Sequence, residues 1–132
     1  MDIQTGGLHH LALRVRDLGR ARQFYSGTLG FPVVLEKAGI VVIVNAGGTF
    51  IGLRGDDAQT AADDRFNPYR VGLDHVALTM PDAATLETVR TQLDAAGVQN
   101  NGVEDDPVLG GKYISFYDPD GIAWELYASP TS

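Results

Sequence analysis

The sequence predicts an α+β protein built from two paired βαβββ modules that form a mixed sheet with the helices outside. Three observations predict it: an internal repeat, a capped helical stretch after each copy, and three short strand-like runs after each helix. Gly7 to Asp17 (GLHHLALRVRD) lies on Gly72 to Asp82 (GLDHVALTMPD) at an offset of 65, and Gly, Leu, His, Ala, Leu and Asp coincide. Leu11/Val76 and Val15/Met80 are apolar in both copies.

Each element follows from local chemistry. In the first copy Asp17 is an N-cap, and Leu18, Ala21, Phe24, Tyr25 and Leu29 make one helical stripe closed by Gly30. Gly19 and Gly27 weaken that helix from inside. In the second copy Asp82 caps, Leu86, Val89, Leu93 and Ala96 form the stripe, and Gly97 ends it. Strands are expected at Phe31–Leu35, Ile40–Asn45 and Thr49–Arg54, then near Gln99–Gly102, at Lys112–Tyr117 and at Ile122–Ala128. Asp118-Pro119-Asp120-Gly121 reads as a turn, with Pro fixing φ and Gly accepting a positive one. The modules span about 7–54 and 72–128, joined by an acidic linker over about 55–71. Neither module can bury its sheet face alone, so the halves must pair, giving one domain over 1–132.

Composition removes whole function classes. Ten basic against 17 acidic residues give a net charge of −7. Such a surface repels phosphate backbones and anionic lipid, so neither nucleic acid nor membrane is an expected partner. Without cysteine there is no disulfide, thiolate site or thiol nucleophile. No secretory signal is visible, and the longest apolar run, Ile40 to Val44, is far too short to cross a bilayer. A cytoplasmic location is expected.

Strand alternation then sorts the chemistry. His10, Ala12 and Arg14 share one face of the first strand, while Leu11, Leu13 and Val15 face the helix, with His9 on their side. The repeat places His75, Ala77 and Thr79 together in the same way. Aligning the turn glycines, Gly48 with Gly121, sets Glu125 opposite Gly52 at an offset of 73, so eight extra residues are expected between helix and sheet in the second half. His10, His75 and Glu125 thus form a two-histidine, one-carboxylate set with an open side. It suits Fe(II), Mn(II), Zn(II), Co(II) or Ni(II) better than Ca(II). Tyr127, two residues beyond Glu125, joins it as a catalytic candidate. Arg14, Phe50, Arg54, Thr79 and Tyr113 are candidate substrate contacts, and Tyr117 a further candidate hydroxyl.

These residues resemble the vicinal oxygen chelate superfamily, which joins glyoxalases, bleomycin resistance proteins and dioxygenases. The likeness rests on His10-Leu11-Ala12-Leu13-Arg14-Val15-x-Asp17-Leu18, Phe24-Tyr25, Leu29-Gly30-Phe31, Gly72-Leu73-Asp74-His75-Val76-Ala77-Leu78 and Asp118-Pro-Asp-Gly121-x-x-x-Glu125-Leu126. It implies βαβββ modules curled into a metal-centred cup, with His10, His75 and Glu125 at the ligand positions. It implies chelation of a small substrate through adjacent oxygens, and commonly a homodimer in which modules pair within or across chains. Glyoxalase I and methylmalonyl-CoA epimerase carry a fourth ligand where this chain has Gly52, although Arg14 resembles the glyoxalase arginine that meets a substrate carboxylate. Two His and one Glu are what extradiol dioxygenases and fosfomycin-modifying transferases use. The functions left open are therefore a metal-dependent dioxygenase, lyase/isomerase or transferase, and a metal-free protein that sequesters a ligand.

Overall fold

The computed structural model describes residues 1–131. The chain divides into two compact units, Met1–Asp64 and Arg65–Ser132. Each holds one four-stranded mixed sheet: β1 (His10–Arg14), β2 (Val33–Lys37), β3 (Val41–Ala46) and β4 (Thr49–Arg54) in the first, and β5 (Val76–Thr79), β6 (Asn100–Asp105), β7 (Lys112–Tyr117) and β8 (Ala123–Ala128) in the second. The strand orders are β1-β4-β3-β2 and β5-β8-β7-β6, each with one parallel pair at the edge and two antiparallel pairs beyond it. This is the expected α+β arrangement of two βαβββ modules.

In the first unit α1 (Leu18–Arg22) starts where Asp17 accepts a bond from the Arg20 amide at 2.9 Å. It does not run on as one regular helix to Gly30. From Gln23 to Thr28 the turn widens to π geometry, with the Leu29 amide bonded to the Phe24 carbonyl. Gly27 inside this stretch weakens the α-helical alternative, and Tyr25 within it is fully buried. Gly30, at φ +79°, ends the segment. Leu13, Val15, Val42, Val44, Ile51 and Leu53 fill the covered side of the sheet, and β2 begins at Val33, two residues later than the apolar pattern suggests.

The second unit repeats the scheme with a regular helix, α2 (Ala83–Ala95), which buries Leu86 and Leu93 on its inner side and packs on β6, β7 and β8. Trp124, Phe116 and Ile114 complete that core. The turn after β7 forms as expected: Asp118 accepts bonds from the Asp120 and Ile122 amides, and Gly121 has φ +79°. Asp82 caps α2 by accepting from both the amide and the hydroxyl of Thr85, which hold its carboxyl below the ordinary aspartate value. A lowered folded-state pKa contributes stability above the ordinary value of about 4 and loses it as pH falls through the lowered one. Asp82→Ala is therefore expected to melt below the wild type at pH 7. The gap should narrow below about pH 4 in a pH series of melting curves.

The stretch 55–71 is not wholly detached from the first unit, which extends to Asp64. Its first part folds back on the first unit, where the Arg16 guanidinium bonds the carbonyls of Ala61 (2.9 Å) and Asp64 (3.3 Å) and lies 3.6 Å from the Asp56 carboxylate. Nor do the eight extra residues sit in one place. Ladder partners give offsets of 65 at Ala12/Ala77, 67 at Lys37/Glu104, 72 at Val41/Tyr113 and 73 at Gly52/Glu125. Most of the excess is thus the β6–β7 connection, Asp106 to Gly111, with smaller additions around the helix and the last turn. Among the described residues, no helix is long and apolar enough to cross a membrane.

Candidate functional site

The side of each sheet turned away from its helix carries the polar residues. In the second unit β5 and β8 run in parallel with Ala77 beside Glu125 and Thr79 beside Tyr127. Antiparallel β7 adds Ser115 beside Glu125 and Tyr113 beside Tyr127, and β6 adds Glu104 beside Tyr113. His75 immediately precedes β5 on the same side. Its Nε2 lies 3.1 Å from Glu125 Oε2, and its Nδ1 lies 2.6 Å from Asp74 Oδ1. The His75 side chain is 42% exposed and that of Glu125 is 16%. Burial pushes the Glu125 carboxyl above its ordinary pKa; His75 pulls it back, and Asp106, Asp74 and Glu104 push it further up.

Beyond this pair stands an aromatic and acidic network. The rings of Tyr113 and Tyr127 are stacked, 6.2 Å apart and 4° from parallel. Tyr113 donates its hydroxyl to Glu104 Oε2 at 2.7 Å, and this carboxylate, with smaller help from burial, raises the phenol pKa to about 12. Tyr127 donates to Asp106 Oδ2 at 2.7 Å and accepts from the Gly111 amide at 3.1 Å, so its hydroxyl is fixed from two sides. Gly111 has to be glycine, because a Cβ there would overlap the Ala128 carbonyl and the Tyr127 ring. Tyr117 accepts at its hydroxyl from the Asn101 amide, 3.1 Å away.

In the first unit the corresponding side carries His10 beside Phe50, Ala12 beside Gly52, and Arg14 beside Arg54. Ala12 pairs with Gly52 as Ala77 pairs with Glu125, so the glycine does stand at the position equivalent to the carboxylate. His10 and His9 are both exposed, with their Nδ1 atoms 2.8 Å apart. His9 thus meets its neighbour instead of the helical layer. Arg14 donates to the Gly55 carbonyl at 2.7 Å. The row Arg14, Arg54, Val41, Lys37 crosses this sheet at the place where Thr79, Tyr127, Tyr113 and Glu104 cross the other. One row is cationic and its equivalent is acidic and aromatic.

The structure therefore brings His75, Glu125, Thr79, Tyr113 and Tyr127 onto one sheet face, and His10, Arg14, Phe50 and Arg54 onto one face of the other sheet. Among the described residues, no group of three or more His, Asp or Glu side chains is gathered so as to hold a metal ion. The His75–Glu125 pair nevertheless fits one: two donors at about 2.1 Å and right angles around a cation stand about 3 Å apart, close to the separation seen here. Its donor set, imidazole with carboxylate, suits a first-row divalent ion. Asp74 behind the imidazole is the outer partner such ligands usually have. Residue reasoning missed Asp74, Glu104, Asp106 and Gly111. Only Asp74 had a signal, its position directly before a candidate ligand.

Residues 7–126 match the model of the Glyoxalase/Bleomycin resistance protein/Dioxygenase superfamily. The chain is 25% identical over 125 residues to an uncharacterized Bacillus subtilis protein, YwkD, covering 91% of this chain and 94% of that one. It is 34% identical over 115 residues to the catechol-2,3-dioxygenase of the same organism; the match covers 81% of this chain but only 39% of the dioxygenase. Among solved structures, a glyoxylase/bleomycin resistance protein/dioxygenase domain from Frankia sp. EAN1pec superposes with a TM-score of 0.82 at 26% identity, covering 98% of this chain and 96% of that one.

Proposed function

Because the chain belongs to the glyoxalase/bleomycin resistance protein/dioxygenase superfamily, we propose that it is a divalent-metal-dependent enzyme acting on a small substrate with adjacent oxygens. The observation that carries this reading is the His75 Nε2 to Glu125 Oε2 approach of 3.1 Å, backed by Asp74 and set in a polar sheet face. His75 and Glu125 supply two ligands. We take His10, the repeat counterpart of His75, as the third ligand. When bound, a cation of the Fe, Mn, Co, Ni or Zn type supplies Lewis acidity to the two substrate oxygens.

The remaining roles belong to the chain's own side chains. Glu125, ionised when it serves as a ligand, places its negative charge beside the reacting oxygens. The Tyr127 hydroxyl, held between Asp106 and Gly111, stays a proton-bearing hydrogen-bond group beside it. Thr79 and Tyr113 border the substrate on this face. Phe50 offers it an apolar wall, and Arg14 and Arg54 meet an anionic part of it. Likeness to catechol-2,3-dioxygenase favours a ring-cleaving reaction on an aromatic diol, with a glyoxalase-like lyase or isomerase reaction as the other chemistry of the family. The expected location is the cytoplasm.

Metal analysis of protein purified without chelator, followed by oxygen-uptake and carbonyl-addition assays with Fe(II), Mn(II), Zn(II), Co(II) and Ni(II), tests the reading. About one metal per chain and metal-restored turnover are expected; stoichiometric absence of every one of these metals after reconstitution overturns it. A second reading, a metal-free protein that sequesters a cationic aromatic ligand of the bleomycin type, is favoured by the stacked Tyr113–Tyr127 pair ringed by Glu104 and Asp106. Calorimetry with such ligands in excess chelator separates the two, since only the second predicts tight binding there.

A further inference from the structure

The residue immediately before each histidine of the repeat sits on that histidine's Nδ1. Asp74 Oδ1 lies 2.6 Å from His75 Nδ1, and at the equivalent place in the first unit His9 Nδ1 lies 2.8 Å from His10 Nδ1. The two partners differ in what they permit. An ionised aspartate only accepts, so it requires the proton of His75 on Nδ1. An imidazole can donate or accept at Nδ1, so His9 leaves either tautomer open to His10.

On the far side of His75 a second acceptor competes for the same proton. Glu125 Oε2 is 3.1 Å from Nε2, and a proton placed there would satisfy Glu125 and close the ligand pair on itself. An isolated histidine in water carries its proton mainly on Nε2, so the default outcome is the closed one. The shorter bond to Asp74 opposes it and leaves the Nε2 lone pair free. We propose that Asp74 is a positioning residue: by drawing the imidazole proton to Nδ1 it keeps the His75–Glu125 pair open to a cation. His9 exerts no such direction on His10, which leaves His75 the preorganised ligand of the two. The role of Asp74 toward a metal rests on the function proposed above, but its effect on the His75 proton is a property of the metal-free protein.

The test separates these two layers. Nitrogen-15 spectra of the metal-free protein at about pH 9, where imidazole is neutral, should show His75 protonated on Nδ1. Asp74→Ala should move that proton to Nε2, and Asp74→Asn, whose amide oxygen still accepts, should restore Nδ1 at least in part. Titration with Mn(II) and Zn(II) should show affinity lowered by about 10- to 100-fold in Asp74→Ala, the range for loss of an outer partner, and a smaller loss in Asp74→Asn. The Asp74 side chain is 73% exposed, so metal-free melting temperatures should coincide; a purely structural role would instead lower the Asp74→Ala melt. Unchanged His75 spectra in Asp74→Ala overturn the proposal. Unchanged metal affinity in a wild type that does bind metal overturns its role toward the cation. A wild type that binds neither metal while Asp74→Ala still shifts the His75 proton sinks the metal reading and upholds the positioning.

Discussion

His75→Ala is expected to weaken divalent-metal binding by more than about 100-fold, beyond what loss of an outer hydrogen-bond partner produces. The substitution removes the Nε2 donor outright and leaves Glu125, which stands 3.1 Å from it, without its opposing ligand. What remains on that face is a carboxylate whose pKa burial and the acids around it already raise, so it ionises less readily and binds a cation less well. Because the His75 side chain is 42% exposed, its loss opens no large cavity, and the fold should survive. Titration with Mn(II) and Zn(II), alongside a melting curve of the metal-free variant, reads both effects. Metal affinity within threefold of wild type would remove His75 from the site.

Trp124→Ala should lower stability by about 3–5 kcal/mol, the usual cost of deleting a large aromatic side chain from a packed core. Trp124 is fully buried and heads the largest side chains of the core. Its ring stacks near Phe116, 6.3 Å away and 12° from parallel, and it lies in register between Val76 on β5 and Phe116 on β7. A domain of this size has only about 5–15 kcal/mol in total, so the loss takes a large share of it. Trp124 also neighbours Glu125 in the strand that presents the carboxylate. Urea unfolding followed by far-ultraviolet circular dichroism measures the change; a loss under 1 kcal/mol would mean the sheet has repacked.

Much of the architecture was legible because it rests on local rules. Asp17 and Asp82 cap as their side-chain chemistry dictates, Gly30 and Gly97 take positive φ, and the apolar stripes of β1, β4 and β8 face their helices. The π turn was not legible, since Gln23–Thr28 has the periodicity of an ordinary helix and the bond from the Leu29 amide to the Phe24 carbonyl leaves no signature in residue type. The fold-back of residues 55–64 was hidden too, because it depends on Arg16 reaching backbone carbonyls more than 40 positions away. At the site, period-two alternation put His75, Thr79, Glu125 and Tyr127 on one face. It could not disclose that Asp106, in the connection after β6, and Glu104 would claim the two tyrosine hydroxyls, since those pairings depend on the length of that connection.

The two equivalent rows, Arg14–Arg54–Lys37 and Thr79–Tyr127–Tyr113–Glu104, belong to a wider division of charge. Residues before Arg65 include six bases and seven acids, whereas those from Arg65 onward include four bases and ten. One copy of the module is thus close to electrical neutrality, while the copy holding His75 and Glu125 is a negative pole that draws cations. Ionic strength should then act unevenly along the chain: added salt, by drawing the counter-ion atmosphere tight over the second copy and screening its field, slows capture of a free cation there and leaves the first copy almost indifferent.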